Sequence, residues 1–394
     1  LRLAALLGVL VFATQPGCDR DPTDVRSLLG LAGRPRLVVA PYLQRATRTG
    51  IMVRWRTPIP ATSEVRHGPT SATDRSTTVP GTRCFHEVSL DGLAPGTQHF
   101  YRIRSVDARG RAFETRPTTF QTAPEPGTPF AFAVLGDTQD SLPVARRLAR
   151  LAWGHRPGFV VHVGDLVGDG RRDVQWFGTF FPALRPLIER VALYPVLGNH
   201  EEDAPLYYRY MSLPTPEHRY AFDHGNARFF MLDSNRDMVP ASEQYAWLQR
   251  ELATCRAVWK IACLHHPPYS SDEDDYGDLR TTNVSSCGDL RSRPLTALFD
   301  RFGVDLVLSG HIHGYERTWP LVGGRAVEQG GTVYVTTGGG GGALEAAGPS
   351  RPAFQHTVRH GHHFAIVRVA GPVLELRAYD LDGRLFDTFE LRKP

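Results

Sequence analysis

Two rhythms of apolar and polar positions divide the chain. From residue 36 to 121, short apolar stretches recur at regular spacing between prolines, glycines and threonines. Ile51, Val53 and Trp55 alternate along one run, and Tyr101, Ile103 and Ser105 alternate with Phe100, Arg102 and Arg104 just after the turn at 93–97. Period-two alternation punctuated by turn residues predicts an all-β unit. A proline- and glycine-rich stretch, 122–128, closes it. From Phe130 the rhythm changes, and apolar strand candidates ending in polar clusters alternate with helical patterns at 142–153, 174–190, 242–254 and 295–302. Strands separated by amphipathic helices predict βαβ units, in which ligands gather at the carboxyl ends of the strands. The tail returns to β at 333–337, 364–369, 373–379 and 385–391.

An apolar run, 3–13, follows Arg2 and leads to Gly17 and Cys18. It is too short to span a bilayer as a mature helix and reads as a secretory signal over 1–18, followed by a linker over 19–35. A cysteine after a small residue at the end of such a run resembles the cleavage box of bacterial lipoproteins, which would tether the chain through a lipid on Cys18. Plain cleavage and an uncleaved anchor are the alternatives. Export to a periplasm, a cell envelope or the medium is therefore expected, and Cys84, Cys255, Cys263 and Cys287 then allow one or two disulfides. Cys263 lies in an apolar strand, where an unpaired buried thiol is the competing reading.

The balance of 41% hydrophobic and 22% charged residues over 394 positions suits two full cores. Lysine and arginine number 45 against 41 acids, a net +4 without a block of like charge, which gives no footprint for nucleic acid.

Metal-binding residue types fall at the ends of five successive strand candidates. FAFAVLGDTQ carries Asp137, FVVHVGDLV carries Asp165, LYPVLGNHE carries Asn199 and His200, WKIACLHHPPY carries His265 and His266, and VDLVLSGHIH carries His311 and His313. Carboxylate, amide and imidazole together suit iron, manganese or zinc, and no thiolate is among them. A lone GD or HxH is more often a turn or a surface pair. Five in this order, each at a strand end, form a specific pattern.

The words GDLV, GNHE, HHPPY and GHIHGYER resemble the motif series of the calcineurin-like metallophosphoesterases. GHIHGYER and the HxPxY word look most like the purple acid phosphatases. The front segment, with MVRW and LAPGTQHFYRI, resembles a fibronectin type III sandwich. The resemblance implies a two-domain chain: a fibronectin III-like sandwich over 36–123, then an α/β metallophosphoesterase domain over 129–394 with two packed β-sheets flanked by helices. It implies hydrolysis of a small-molecule phosphate monoester by a water ionised between two metal ions. Asp165 would bridge them, Asp137 and His313 would hold the first, and Asn199, His265 and His311 the second. His200 would act over the substrate as proton donor. Gln139, His266, Tyr315 and Arg317 would lie beside the ligands or touch substrate.

This sequence departs from the family at two ligand positions. Purple acid phosphatases carry tyrosine where Gly168 stands, and most other metallophosphoesterases carry histidine where Gln139 stands. The first metal is therefore expected to be divalent and the protein colourless. Plant members have a histidine pair beyond HxPxY, and this chain has Asp272, Glu273, Asp274 and Asp275. Those acids either repel dianionic monoesters at the site's mouth or form a solvated loop away from it. A phosphodiesterase or nucleotide pyrophosphatase on the same fold is the rival enzyme reading, and a cell-surface protein with a decayed site is the rival outside enzymes.

Overall fold

The computed structural model describes residues 36–271, 285–345 and 351–394. The apolar leader with Cys18, the linker and the acidic run Asp272–Asp275 lie outside the described residues. The front unit is a sandwich of β1 (Val39–Gln44), β2 (Ile51–Gly68), β3 (Arg75–Leu90), β4 (Gln98–Val106), β5 (Ala112–Glu114) and β6 (Thr118–Gln121). β2 and β3 form one long hairpin whose register slips between Arg56 and Ser63. Bulges bend strands, so the first half of β2 pairs with β1 and the second half with β4. Trp55, on the first half, is 1% exposed and reaches across the sandwich to donate from Nε1 to Ser105 Oγ on β4 at 3.0 Å. Trp55 thus lies on the buried side of the alternation Ile51, Val53, Trp55.

The second unit is an α/β/β/α stack. One sheet has the order β21 (Leu385–Arg392), β20 (Val373–Asp380), β19 (His363–Ala370), β7 (Phe130–Leu135), β8 (Phe159–His162), β9 (Ala192–Pro195), and β7, β8 and β9 run parallel. The other has the order β10 (Tyr220–His224), β11 (Ala227–Met231), β12 (Trp259–Cys263), β13 (Leu306–Ser309), β17 (Val333–Thr337), β14 (Gly314–Thr318), β18 (Gln355–His360). The remaining strands, β15 (Leu321–Val322) and β16 (Arg325–Ala326), form a small hairpin. Phenylalanines lock the two large sheets face to face: Phe229 meets the rings of Phe132 and Phe159 edge-on at 5.1 and 5.3 Å.

Helices close the outer faces. α1 (Leu142–Gly154) buries Ala145, Leu148, Ala149 and Ala152 on one stripe and turns Arg147 and Arg150 to solvent, the spacing that 3.6 residues per turn requires. The predicted helix at 174–190 is three pieces: a turn at Asp173–Gln175, a π-helical turn at Trp176–Phe180, and α2 (Phe181–Ile188). α3 (Pro205–Tyr210) is a short helix that periodicity did not reveal. α4 (Glu243–Thr254) starts where Ser242 accepts the Tyr245 N–H, and α5 (Thr296–Phe302) ends on Gly303 at φ 63°, a left-handed cap that favours glycine. Among the described residues no helix is long and apolar enough to cross a membrane. Cys255, Cys263 and Cys287 are free thiols, so no disulfide joins them, and Cys263 is fully buried as the unpaired reading held.

The two units are not beads on a string. β1 pairs parallel to β9 at Leu43 and Ala192, making the sandwich a continuation of the first catalytic sheet. A single apolar cluster runs from Val53 and Tyr101 through Phe181 to Phe159. Polar contacts pin the seam: Arg56, its side chain 6% exposed, reaches Asp173 at 2.7 Å and donates to Tyr210 Oη at 2.5 Å, while Tyr101 Oη donates to the Glu189 carbonyl at 2.8 Å.

Buried histidines make this fold acid-sensitive. Burial drives the imidazoles of His86, His162 and His224 down to about 3 from 6.5. Each is therefore neutral in the native state, while the unfolded chain takes up the proton below pH 6.5. Their stabilisation is complete above that pH and is lost as pH falls toward 3, at up to ~1.4 kcal/mol per unit per histidine. The melting temperature is expected to drop steeply between pH 6.5 and 4.5, as differential scanning calorimetry would show. A flat profile would mean that these rings find protonated environments.

Candidate metal centre

The carboxyl ends of β7, β8, β9, β12 and β13 converge on one buried cluster, as expected for parallel strands. To turn there, three residues leave ordinary backbone space: Asp137, Asp165 and His311 have φ of 56°, 53° and 70°. Non-glycine residues held so cost of order 1–3 kcal/mol each. The loops hold each other in place. Asp137 N–H donates to the Gly164 carbonyl at 2.9 Å, Thr138 N–H to the Asp165 carbonyl at 2.9 Å, and His311 N–H to Asp137 Oδ1 at 2.9 Å. Glycines beside the ligands make room. A Cβ on Gly198 would stand 2.0 Å from Asp165 Oδ1, and one on Gly164, itself at φ 97°, would stand 2.4 Å from His265 Nδ1.

Asp165 sits at the middle. Its Oδ2 lies 3.3 Å from His265 Nε2 and 3.9 Å from His200 Nε2, and its Oδ1 accepts the His200 N–H at 3.0 Å. On one side, Asn199 Oδ1 is 3.0 Å from His265 Nε2 and 3.1 Å from His311 Nδ1. On the other, His313 Nε2 is 3.5 Å from Asp137 Oδ1 and 3.1 Å from Gln139 Nε2. His266 joins the first side: its ring lies 4.5 Å from that of His311, Ser234 Oγ holds its Nδ1 at 2.7 Å, and its ligand atom lies within 4.8 Å of those of His265 and His311. All six predicted ligands are thus brought together. Tyr315 and Arg317 turn away: Tyr315 Oη donates to Asp387 Oδ2 at 2.6 Å, and Arg317 forks onto the two Asp387 oxygens at 2.7 and 2.9 Å. They brace β14 against β21 and do not face the cluster.

Two buried carboxylates set the electrostatics of the cluster. Burial pushes the Asp137 carboxyl up, and burial opposes but does not prevent a rise of His313 to about 10 and His265 to about 9, driven by Asp137 and Asp165. Burial would raise Asp165 too, yet the His265 imidazole holds it at about 2. Buried oxygens are left over: among the described residues, Asp137 Oδ2 and Gln139 Oε1 meet no donor. Oxygen and imidazole donors with orphaned lone pairs are the donor set of a borderline divalent metal, so the residues fit the two ions that the motifs imply. The orienting contacts fit as well. His265 Nδ1–H donates to the Val163 carbonyl at 2.8 Å and His313 Nδ1–H to the Ala343 carbonyl at 2.6 Å, leaving each Nε2 to the site.

His200 is the accessible member, its side chain 43% exposed. Its Nδ1–H donates to the Gly168 carbonyl at 2.8 Å, aiming Nε2 at the cluster. Burial lowers its basicity, but Asp165 and that carbonyl outweigh burial and raise it. Gly168 itself lies outside the left-handed region, and a Cβ there would stand 3.3 Å from Gln175 Oε1 and 4.0 Å from Gln139 Cβ.

Two features were missed by sequence reasoning. Glu201, fully buried, accepts the N–H groups of Asp165, Leu166, Val167 and Gly198 at 2.9, 2.8, 3.3 and 2.7 Å, tying the Asp165 loop to the Asn199 loop. Burial and then the Asp165 charge push its carboxyl up to about 8, while the N–H donors pull the other way. It stands inside GNHE, so its position was the available signal. The glycine run 338–342 is the floor of the site: Gly342 N–H donates to the Asp137 carbonyl at 2.8 Å, and a Cβ on Gly342 would stand 2.6 Å from the His313 ring.

With this geometry in view, the comparisons are informative. Residues 130–315 match the calcineurin-like phosphoesterase family. The chain is 30% identical over 302 residues to acid phosphatase type 7 of Homo sapiens, the match covering 68% of each. This chain belongs to the calcineurin-like phosphoesterases of the purple acid phosphatase type. It is 27% identical over 298 residues to purple acid phosphatase 23 of Arabidopsis thaliana, covering 65% of this chain and 62% of the relative. The chain spans about three fifths of the length of the plant relatives it matches. In structure it follows the purple acid phosphatase PPD1 from yellow lupin (Lupinus luteus) seeds at a TM-score of 0.79, with 20% identity, over 89% of this chain and 74% of that one. The fold expected from the motifs is thereby established, including its two-unit organisation.

Glu201 gives a direct test of how this purple acid phosphatase relative holds its site. Glu201→Gln puts an amide N–H₂ against backbone donors, and a buried donor left facing another donor costs about 1–3 kcal/mol. Urea unfolding is expected to show a loss of about 2–3 kcal/mol, together with weaker metal retention. An unchanged midpoint would show that the two loops do not depend on this carboxylate.

Proposed function

We propose that this protein hydrolyses phosphate monoesters with a pair of metal ions. The observation that carries the reading is the convergence of Asp137, Asp165, Asn199, His265, His311 and His313 on one buried cluster whose Asp137 Oδ2 meets no donor. We assign Asp165 to bridge the metals, Asp137 and His313 to the first, and Asn199, His265 and His311 to the second. When bound, the ions supply Lewis acidity toward the phosphoryl oxygens and an ionised water near neutral pH. The chain's own residues do the rest. His265 and His313 keep their ring orientation through the Val163 and Ala343 carbonyls, so little reorganises as charge develops. His200 holds a proton at Nε2 on the open side, where a leaving oxygen departs, and the Gly168 carbonyl keeps its ring aimed. His266, beside His311, offers a contact for a phosphoryl oxygen.

The same reading assigns residues 36–123 to the sandwich and 129–394 to the catalytic unit, and it goes with export, for which the apolar run at 3–13 is the support. The family and the matching acid phosphatases favour a monoester; turnover of a diester in its place would move the assignment to the rival enzyme reading.

Asp165→Asn is expected to abolish phosphomonoesterase activity and lower metal content, measured by elemental analysis beside a p-nitrophenyl phosphate assay with added Mn²⁺ or Zn²⁺. Activity near that of the unmodified protein would remove Asp165 from the bridge. His200→Ala is expected to keep its metals and to slow hydrolysis by roughly 10²-fold. The loss should be larger for an alkyl phosphate than for p-nitrophenyl phosphate, because an alkoxide needs the proton more. Equal losses on both would show that His200 binds substrate without donating a proton.

A further inference from the structure

On the Asp137 side of the cluster lie lone pairs that no donor satisfies. Gln139 is 2% exposed, and among the described residues its Oε1 has no hydrogen-bond partner; Asp137 Oδ2, fully buried, has none there either. Both residues sit on a loop that cannot easily relax to find one. Thr138 N–H is spent on the Asp165 carbonyl, Ser141 N–H on the Gln139 carbonyl at 2.8 Å, and Gly342 N–H closes on the Asp137 carbonyl. His313 presents its Nε2 to both side chains, 3.5 Å from Asp137 Oδ1 and 3.1 Å from Gln139 Nε2, since its Nδ1–H is engaged by the Ala343 carbonyl. Gly168, on the next loop, sends no side chain toward it; a Cβ there would stand 4.0 Å from Gln139 Cβ, 3.8 Å from Asp140 Oδ1 and 3.3 Å from Gln175 Oε1. A buried amide oxygen without a donor is destabilising, and a cation removes that cost.

We propose that Gln139 is itself a metal ligand, its Oε1 completing with Asp137 and His313 one of the two metal positions and making that position selective for an exchangeable divalent ion. The proposal rests on the phosphoesterase reading above. Its chemistry follows from charge. The position has one carboxylate of its own, a share of Asp165, one imidazole and one neutral amide, too little anionic oxygen to favour a trivalent ion. In the structure the amide's N–H₂ end lies 3.1 Å from His313 Nε2, so the side chain has two conceivable uses: its oxygen on the metal, or its N–H on the histidine. Substitution separates them.

The test titrates the full chain, stripped of metal, with Mn²⁺ alone and counts free ion by electron paramagnetic resonance. The unmodified protein is expected to bind two ions, one more weakly. Gln139→Ala should weaken only the weaker site, by about 10–100-fold, the usual range for lost support at a metal, with an unchanged circular dichroism spectrum. Gln139→Glu supplies an anionic oxygen and no N–H, and it should tighten that site. Weakening by Gln139→Glu would show that the amide serves His313 and not the metal, which overturns the proposal. Equal Mn²⁺ binding by the unmodified protein and both variants overturns it too, while leaving the phosphoesterase reading intact. Failure of the unmodified protein to bind Mn²⁺, Zn²⁺ or Fe²⁺ at all would sink both.

Discussion

Asp137 and Asp165 are buried together, and among the described residues neither is paired with a lysine or arginine. Taking a carboxylate out of water costs several kcal/mol even after relaxation. Imidazoles and backbone N–H groups meet part of that cost, and the unmet remainder is visible as an oxygen of Asp137 with no donor and as histidines driven toward protonation. Most of the local structure serves to hold this unfavourable charge in place. The left-handed residues, the glycines that let Asp165 and His265 come close, and the Glu201 carboxylate gathering N–H groups from two loops all exist at this spot. None would be needed around an apolar pocket.

The sandwich takes part in the same support. Arg56 reaches out of β2 to Asp173 and Tyr210, fixing the turn at Asp173–Gln175. Gln175 Oε1 in that turn accepts the Asp169 N–H at 2.8 Å, and the neighbouring Gly168 carbonyl orients His200. A continuous run of contacts therefore joins the front unit to the proton donor, and the shared sheet through β1 and β9 makes relative motion of the two units costly. A sandwich kept only for adhesion would not need this coupling.

How much of this was legible follows from what each feature depends on. The strand ends were readable because a ligand directly after an apolar run is a local pattern: Asp137, Asp165, Asn199 and His311 each follow a glycine there, and His265 follows Leu264 at the end of its run. Helix boundaries at Ser242 and Gly303 were local too. Glu201 was not, since its role comes from N–H groups thirty-odd residues away in sequence that a turn brings near. The fusion of the two units through Leu43 and Ala192 is a tertiary pairing of short strands with no turn to announce it. The π-helical turn at Trp176–Phe180 kept the same buried face as the α-helix expected there, burying Trp176 and Phe180, so periodicity could not distinguish them. Tyr315 and Arg317 sat in a family word beside two ligands, yet β-strand alternation sends both side chains to Asp387.

The central claim is that the buried cluster is a two-metal site bridged by Asp165. Anomalous scattering from crystals grown with Mn²⁺ or Zn²⁺ tests it most directly. The account predicts two peaks roughly 3.5–4 Å apart, one on each side of the Asp165 carboxylate, with Asp137 and His313 on one and Asn199, His265 and His311 on the other. A single peak, or ions bound away from Asp165, would contradict it.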